Sequence, residues 1–354
     1  MDKIKVLIVD DSSVIRSIVK EVLRDEPEIE VIGEAKDPYV ARDLIKKLNP
    51  DVLTLDVEMP KMDGITFLGN LMRLRPMPVL MLSTLTTQGA EVTLKALELG
   101  AIDFIAKPSF KELLSLKENF KETLVDKIKF AANIEHKVTA KAVSHANAFL
   151  GCKRKNHLVA IGASTGGTEA IKHVLLGLPE NSPPIVITLH IPKVFSAHFA
   201  IRMDKYCCMK VQEAKHGQKI KEGNVYIAPG DQHLKVESKG GALFCILEDS
   251  EEVNRHKPSV DVLFNSLLPI ADNTQAILLT GMGQDGAKGL LALKNNRAMT
   301  IIQSEESSLI WGMPGAAFKL NAHRKQTDLL SIAPELLTYA SLDKTEMKVI
   351  KSEK

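Results

Sequence analysis

The sequence predicts an α/β protein made of two doubly wound domains on mainly parallel sheets, the second a three-layer domain with a small antiparallel extension. Short apolar runs alternate with helical patterns through both halves of the chain, which is typical of such sheets. The length of 354 residues suits two domains that each bury a core. We place the domains at residues 1–125 and 157–343, with a linker at 126–156 and a charged tail at 344–354.

Composition narrows the class of protein. Hydrophobic residues make up 45% of the chain and charged residues 25%, the balance of a globular protein in water. The formal net charge of +2 is too small to indicate nucleic acid as a partner. The four cysteines form no C-x-x-C pair and show no spacing typical of zinc, and no apolar run is long enough to span a bilayer. With no signal peptide at the start, we expect a cytoplasmic protein without direct membrane insertion.

The first half contains five short apolar runs typical of buried strands. They are Val6–Asp10, Val31–Ala35, Val52–Asp56, Val79–Leu82 and Asp103–Ala106. Helical patterns such as Ser13–Asp25 separate them, so a parallel sheet with helices on both faces is expected. A further helical pattern from Lys111 to Phe130 closes the domain. The linker after it carries a basic cluster at 153–155, which either binds an acidic partner or is simply solvated.

Polar side chains stand at four of these strand ends. Asp10 and Asp11 follow the first strand, Asp56 ends the third, and Ser83 and Lys107 follow the fourth and fifth. Ligands of such sheets gather at the carboxyl ends of the strands, where three carboxylates would repel one another unless a cation such as Mg²⁺ lay among them. Asp56 would then suit a phosphoryl acceptor, with Lys107 balancing charge on the phosphoryl oxygens. Taken singly, each residue is more typical of a helix cap or a solvated side chain.

Over its whole length this first segment resembles the receiver domain of bacterial response regulators, a flavodoxin-like fold. The resemblance rests on VLIVDDSS, LDVEMPKMDG, LMLST and GAIDFIAKP. It implies that a histidine kinase phosphorylates Asp56 and that the backbone carbonyl of Glu58 joins the carboxylates around Mg²⁺. It also implies that Ser83 and Phe104 move as a switch pair beside Lys107.

The second half opens with HLVAIGASTGGTEAI, from His157 to Ile171, which predicts a strand, a tight turn and a helix. Such a turn presents Ser164 at the carboxyl edge of a parallel sheet and at the amino end of a helix, whose free N–H groups favour negative charge. The stretch Gly162–Gly166 matches G-x-S-x-G, the pattern of a nucleophile elbow. On its own it fits a phosphate-binding turn equally well.

A histidine and an aspartate follow later strands of the same half. The run PIVITLH ends at His190, and a later apolar strand leads into GMGQDG with Asp285. Parallel strands would bring both to the edge that carries Ser164, as a base-assisted serine nucleophile requires. His233 and His256 lie in turn-rich stretches and are the alternative bases.

The remaining stretches predict structure around that edge. Hairpin strands are expected around Pro229–Gly230 and around Lys239–Gly241, as the small antiparallel extension, and a helix is expected from Pro258. The loop EESSLIWGMPGAA contains the only tryptophan of the chain, Trp311. This side chain either lines a cleft or anchors the loop at the surface.

Six blocks of the second half, joined to a receiver, resemble the chemotaxis response-regulator protein-glutamate methylesterases. They are IGASTGGTEAI, HIPKVFSAHFAIRMD, VYIAPGDQHL, HKPSVDVLFNSL, ILLTGMGQDGAKG and SSLIWGMPGAA. The resemblance implies hydrolysis of γ-glutamyl methyl esters on the cytoplasmic domains of methylated chemoreceptors, with release of methanol, and often deamidation of receptor glutamines. By motif, Ser164 is the nucleophile, His190 the base and Asp285 the residue that orients it. Thr165 and Met282 lie beside them.

Hydrolysis of an alkyl ester needs an activated oxygen nucleophile and donors for the oxyanion, but no metal. Backbone N–H groups in the Ser164 and GMG turns are the candidate donors. Among other classes, a DNA-binding output would need a helix-turn-helix, a nucleotide-binding output would need an acid where His190 stands, and an adaptor would tolerate the loss of Ser164. The receiver is expected to control the Ser164 edge, either by covering it until Asp56 is phosphorylated or by completing it afterwards.

Overall fold

The computed structural model describes residues 3–84, 86–107, 117–133 and 157–342. The chain divides into two compact units, residues 1–140 and 141–354. Several sequence-based expectations lie outside the described residues: the start of the helix expected from Lys111, most of the linker with its basic cluster, and the charged tail.

Strands and helices alternate through the described residues of the first unit. The strands are β1 (Ile4–Val9), β2 (Ile29–Ala35), β3 (Val52–Asp56), β4 (Val79–Ser83) and β5 (Asp103–Ala106). The helices are α1 (Ser13–Leu23), α2 (Pro38–Leu48), α3 (Gly64–Leu74), α4 (Thr87–Glu98) and α5 (Lys117–Ala132). All neighbouring strands are parallel, in the order β2-β1-β3-β4-β5. The predicted doubly wound sheet is confirmed.

The helices of this unit begin where the sequence supplies a side-chain oxygen to cap them. Asp37 accepts hydrogen bonds from the backbone N–H groups at the start of α2, at 3.0 Å, and Asp63 does so for α3 at 2.8 Å. The β1 residues Val6–Val9 are fully buried, because helices cover both faces of a parallel sheet. Each strand therefore ends at a fixed place on the carboxyl edge.

The second unit has a larger parallel sheet and a small antiparallel one. Its strands are β6 (Leu158–Ala163), β7 (Ile185–Leu189), β8 (Lys210–Glu213), β9 (Gln218–Lys219), β10 (Asn224–Ile227), β11 (His233–Lys239), β12 (Ala242–Glu248), β13 (Thr274–Leu278), β14 (Met299–Gln303) and β15 (Lys325–Thr327). Its α-helices are α6 (Gly167–Leu176), α7 (Lys193–Tyr206), α8 (Val260–Ser266), α9 (Ala287–Asn295), α10 (Met313–Lys319) and α11 (Leu329–Ala340), and a 3₁₀ helix spans Leu268–Asn273. The large sheet runs β15-β14-β13-β6-β7-β10-β8 and the small one β11-β12-β9.

Helices cover both faces of the larger sheet. A buried core beneath α8, α9 and α10 includes Leu158 and Ala160 of β6. Because side chains alternate along a strand, Val159 and Ile161 point to the opposite face, where α6 packs with α7 and α11. The three-layer arrangement places β6 in the middle of the molecule's second unit, flanked by β13 and β7.

One of the two predicted hairpins is wrong. The strand before Pro229 is β10, which pairs in parallel with β7 and β8 instead of turning back on β11. Val225, Tyr226 and Ile227 are buried, as a central strand requires. Gly230 allows the chain to pass closely against the backbone at the start of α7, so Pro-Gly marks a crossing there and no hairpin turn. The other hairpin is confirmed, with Lys239 paired to Ala242.

Among the described residues, no helix is both long enough and apolar enough to cross a membrane.

Candidate functional sites

Ser164 lies in the tight turn between β6 and α6, where the sequence places it. Its backbone N–H donates to the carbonyl of Thr280 at 3.1 Å, and its carbonyl accepts from Gly167 at 2.7 Å. The residue is half-buried. Both backbone groups are thus fixed, one to the end of β13 and one to the first turn of α6, which leaves the hydroxyl at the sheet edge.

Strand register brings His190 beside Ser164. Ala163 at the end of β6 pairs with Leu189 at the end of β7. The backbone N–H of His190 then donates to the carbonyl of Ala163 at 3.1 Å, so the pairing continues by one residue. Neighbouring strands lie about 4.8 Å apart, so Ser164 and His190 leave the sheet as adjacent residues.

The end of β13 approaches Ser164 from the other side. A Cβ atom on Gly281 would lie 2.8 Å from the Ser164 Cβ and would also collide with the sulfur of Met313. Atoms of this kind do not approach below about 3.5 Å without strain. Only glycine lets the GMG turn lie this close to the serine.

His190 and Asp285 are hydrogen-bonded, as predicted. The ring Nε2 lies 2.9 Å from Asp285 Oδ2, and the His190 side chain is 6% exposed. We assign the ring proton to Nε2, because a carboxylate can only accept. The buried Nδ1 has no hydrogen-bond partner among the described residues, so it is the nitrogen with a lone pair to offer. In the serine proteases the two nitrogens have the opposite roles.

Asp285 is held by many donors. Its oxygens accept from His190 Nε2, Asn254 Nδ2 at 2.7 Å, Ser259 Oγ at 2.8 Å and the backbone N–H groups of Val260 at 2.6 Å and Asp261 at 3.2 Å. Burial acts to raise the pKa of this carboxyl, but the hydrogen bonds and the charge of His190 outweigh it and hold the pKa well below its usual value. Asp285 is therefore a fixed anion behind the imidazole.

The two alternative histidines have different surroundings. His233 is fully buried, and its two ring nitrogens contact the backbone carbonyl of Glu251 at 2.9 Å and the N–H of Ser259 at 3.0 Å. It therefore supports the segment that holds Asp285. His256 stacks on His190, with ring centroids 3.6 Å apart and an interplanar angle of 14°. Sequence reasoning missed this stack and the donors at 254–261, although the block HKPSVDVLFNSL marks that segment.

Free N–H groups surround the serine. Thr165, Gly166, Met282 and Gly283 donate no backbone hydrogen bond within the part of the chain that the structure describes. The carbonyl of Thr165 is occupied, since it accepts from the hydroxyl of Thr280 at 3.1 Å. Both predicted neighbours of the triad, Thr165 and Met282, thus carry an N–H that remains available.

The loop after β14 borders the same edge through Leu309. A Cβ built on Gly166 would lie 2.8 Å from the side chain of Leu309, which is 36% exposed. Trp311 instead packs on Phe318, with ring centroids 5.4 Å apart, and donates to the carbonyl of Gln303 at 3.3 Å. The tryptophan anchors the loop, and the leucine faces the serine turn.

The carboxylates of the first unit cluster at the predicted sheet edge. Ligand oxygens of Asp10, Asp11 and Asp56 all lie within 4.8 Å of one another. Lys107 Nζ lies 2.8 Å from Asp10 Oδ2 and 2.7 Å from Asp56 Oδ1. Glu58 is exposed and donates its N–H to Asp56 Oδ1 at 3.2 Å.

The electrostatics of this cluster are those of a crowded anionic site. Burial and the neighbouring charge of Asp10 raise the pKa of Asp56 to about 6, although Lys107 opposes them. Burial also raises the pKa of Asp10. The site carries more negative charge than one lysine balances, and a hard divalent cation with oxygen ligands would relieve it.

The predicted switch residues lie on the last two strands of the sheet. Ser83 is fully buried and accepts a hydrogen bond from Thr93 Oγ1 at 2.7 Å. Phe104 is also buried, and Lys127 donates to its carbonyl at 2.8 Å with the ammonium 5.6 Å from the ring centroid. The two side chains are held by different helices, α4 for the serine and α5 for the phenylalanine.

The fold and the two clusters define a class of protein. A five-stranded sheet with an acidic cluster beside a lysine is joined in one chain to an α/β unit with a serine, a histidine and an aspartate at its edge. This is a response regulator whose output unit carries the groups of a serine hydrolase.

Comparison with known proteins gives the family. The protein-family model for the CheB methylesterase matches residues 159–336, and the family model for the response regulator receiver domain matches residues 6–117. A relative from Saccharophagus degradans, named protein-glutamate methylesterase/protein-glutamine glutaminase 2, is 50% identical over 347 residues, which cover 96% of this chain and 99% of the relative. One from Hahella chejuensis, named protein-glutamate methylesterase/protein-glutamine glutaminase 1, is 53% identical over 330 residues, 90% of this chain and 91% of the relative.

A solved structure supports the same assignment for the second unit. The catalytic domain of the Thermotoga maritima CheB methylesterase is 34% identical, with a TM-score of 0.51, and the match covers 52% of this chain and 98% of that one. The chain belongs to the family of the protein-glutamate methylesterases/protein-glutamine glutaminases. The family expected from the sequence is confirmed.

Proposed function

We propose that this chain hydrolyses γ-glutamyl methyl esters on the cytoplasmic domains of chemoreceptors, releases methanol, and deamidates receptor glutamines, under the control of receiver phosphorylation. One observation carries the proposal. His190, oriented by Asp285, keeps a buried Nδ1 without a partner among the described residues, at the strand end adjacent to Ser164. That is the arrangement a base-assisted serine nucleophile needs. The relatives bear names for both activities.

The reaction follows from these positions. Ser164 Oγ attacks the ester carbonyl while His190 Nδ1 takes the hydroxyl proton, and Asp285 stabilises the imidazolium through Nε2–H. Collapse of the tetrahedral intermediate returns the proton from Nδ1 to the leaving methoxide, which departs as methanol. Water, activated by the same nitrogen, then cleaves the acyl-serine and leaves the glutamyl carboxylate. An amide in place of the ester releases ammonia by the same steps. The Oγ–Nδ1 hydrogen bond closes when substrate binds, as is common in hydrolases.

The oxyanion needs donors that are already in place. The free N–H groups of Thr165 and Met282 are the best candidates, because they come from the two turns that meet at Ser164. Loss of one such donor costs roughly 3 to 4 kcal/mol of transition-state stabilisation in known enzymes. The proposed ester hydrolysis uses no metal.

The receiver supplies the regulation. Asp10, Asp11 and Asp56, with the backbone carbonyl of Glu58, would hold Mg²⁺, which would balance charge on the phosphoryl oxygens. The close carboxylate oxygens and the raised pKa of Asp56 fit such a cation. Asp56 accepts the phosphoryl group from a chemotaxis histidine kinase, and Lys107 pairs with the added charge.

The proposed roles are assigned to domains with the boundaries expected from the sequence. Residues 1–125 form the receiver, 126–156 the linker, 157–343 the esterase domain and 344–354 a tail. Ser83 and Phe104 carry the change at Asp56 to the rest of the receiver. Removing residues 1–140 separates two modes of control: under inhibition the fragment is faster than the unphosphorylated chain, and under activation it is no faster.

Methanol release from methylated receptor membranes tests the esterase. Ser164→Ala should abolish it, while Ser238→Ala, at an exposed position of β11, should leave it unchanged. An Asp56→Asn chain should not respond to a phosphodonor. A Ser164→Ala protein that still releases methanol would exclude the proposed nucleophile.

A further inference from the structure

The residues from Val253 to His256 form a tight turn against the catalytic histidine. The backbone N–H of Val253 donates to the His256 carbonyl at 3.1 Å, and the N–H of His256 donates back at 3.0 Å. Asn254 and Arg255 between them both have left-handed backbones, with φ of 55° and 67°. This is the geometry of a type I′ turn, in which the second position favours glycine. An arginine there is strained, and strain of this kind is often retained where a turn must deliver side chains to a site.

The turn delivers two side chains to the triad. The amide of Asn254 donates to Asp285 Oδ1 at 2.7 Å and to Asp261 Oδ2 at 2.8 Å. The ring of His256 lies over the ring of His190, 3.6 Å between centroids and 14° from parallel. The turn therefore contacts both the base and the residue that orients it.

Stacking on His256 fixes the plane of the His190 ring, which the hydrogen bond to Asp285 leaves free. The Cβ–Cγ bond and the hydrogen bond from Nε2 to Asp285 hold two points of the ring, and the ring can still tilt about the line through them. A nearly parallel ring in contact with its face sets the plane. The direction of the Nδ1 lone pair is then determined by Asp285 and His256 together.

The geometry also suits one protonation state of the pair better than the other. Two neutral aromatic rings prefer offset or edge-to-face arrangements to a close face-to-face stack. A cation over the face of an aromatic ring is attracted to it. The stack thus favours His190 as the imidazolium, the form that the ring takes in the reaction when it accepts the serine proton.

We propose that His256 is a positioning residue for the reaction, which sets the plane of the His190 ring and stabilises its protonated form through the stack. The inference rests on the proposed esterase function. An interaction that strengthens only as the proton moves lowers the barrier without tightening substrate binding, so it should act on kcat and not on KM.

Other charges in this region belong to groups that the test leaves unchanged. They include the buried carboxylates of Asp285 and Asp261, the arginine at the tip of the turn, the exposed Glu251 and Glu252, and the ion pairs Lys257–Asp249 and Lys193–Asp231. A change at His256 that keeps the fold therefore reports on the ring.

Two variants separate the aromatic face from the ring nitrogens. His256→Phe keeps a flat ring without nitrogens, and His256→Gln keeps a hydrogen-bonding group without a ring. We expect His256→Phe to keep most of the wild-type kcat, and His256→Gln to lose roughly 3- to 30-fold, the range of a cation–π contact. KM should change little in either. Both variants should be folded, as judged by circular dichroism and thermal melting of the full chain.

A second measurement does not depend on the natural substrate. The rate at which a fluorophosphonate labels Ser164 requires the same base, and we expect the same order of variants. If the wild type labels rapidly but releases no methanol from receptors, the proposed substrate is wrong and the stack can still be judged. Equal loss in both variants, or an active His256→Gln beside an inactive His256→Phe, would overturn the proposal.

Discussion

Replacing Asp285 by asparagine should nearly abolish turnover while the protein stays folded. Three donors contact Oδ1 of Asp285 and two contact Oδ2. The amide oxygen of the asparagine is therefore expected at the Oδ1 position and its NH₂ group at the Oδ2 position. The NH₂ would then face the N–H of Val260, whose nitrogen lies 2.6 Å away, and Nε2 of His190 at 2.9 Å. Nε2 must become an acceptor, which moves the ring proton to Nδ1, the nitrogen that has to take the serine proton.

The size of the loss follows from the wrong tautomer. In serine proteases the equivalent change lowers kcat by about 10⁴, which corresponds to about 5.5 kcal/mol. A donor facing a donor should also cost roughly 1 to 3 kcal/mol of folding stability. KM should move far less than kcat, because the anion acts on the charge that develops in the transition state. Methanol release from methylated receptors gives both constants, and chemical denaturation gives the stability.

Asp261→Asn is the matched control for this experiment. Asp261 is a buried carboxyl on the same segment and accepts from Asn254 and from the N–H of Gly289, but it does not touch His190. Burial raises its pKa, and the charge of Asp285 adds to that. We expect its loss of kcat to stay within about tenfold, the value of one hydrogen bond to Asp285. The reasoning is refuted if Asp285→Asn keeps more than a tenth of wild-type kcat, or if the two variants lose equally.

Three further changes test other parts of the structure. Gly281→Ala should lower kcat at least a hundredfold and stability by roughly 1 to 3 kcal/mol, because its Cβ would lie 2.8 Å from that of Ser164. His233→Ala should cost roughly 1 to 3 kcal/mol of stability, measured by denaturation, and keep kcat within about tenfold, because this ring holds backbone groups. Asp56→Asn should stabilise the receiver at pH 7.5 by about 3 kcal/mol, because the folded pKa is raised from 3.8 to about 6.

The sign of the last effect follows from linkage. A carboxyl with a raised pKa binds its proton more tightly in the folded state, so its stabilising effect is complete at low pH and is lost as the pH rises through about 6. Mg²⁺ should therefore raise the melting temperature of the wild-type receiver at pH 7.5 and have less effect on Asp56→Asn. A Mg²⁺ response that survives the substitution unchanged would place the cation elsewhere.

The His233 prediction has its own contradiction. A loss of kcat in His233→Ala as large as that in His190→Ala would make His233 the base.

The elements that the sequence predicted best are those with a strong local pattern of their own. The strand ends at Asp56, His190 and the Ser164 turn were recoverable, because buried strands in parallel sheets are unbroken apolar runs that stop where polar residues begin. Pro229–Gly230 misled, because the same dipeptide suits a hairpin and a close backbone crossing. Only the register of β10 with β7 decides between them.

The surroundings of His190 could not be predicted for a different reason. Asn254 and Arg255 adopt left-handed backbones without a glycine, so the turn-rich stretch gave no sign of the type of turn that it forms. The stacking of His256 and the reversed roles of the two ring nitrogens depend on side-chain orientation, which spacing along a chain does not determine. The place of Leu309 beside the serine turn depends on the path of the loop after β14, which no local pattern determines.

The pairing of Ala163 with Leu189 has a consequence for how such an enzyme can diverge. Nucleophile and base are set by the alignment of two central strands, a part of the molecule where a single-residue slip would move every buried side chain to the wrong face. The side chain of Leu309, which borders the serine turn, is 36% exposed and lies outside the strands of the sheet. Substitutions there can alter which protein surface fits against the serine while the distance between the reacting groups stays constant. Selectivity among receptors and chemical competence can therefore evolve at separate rates.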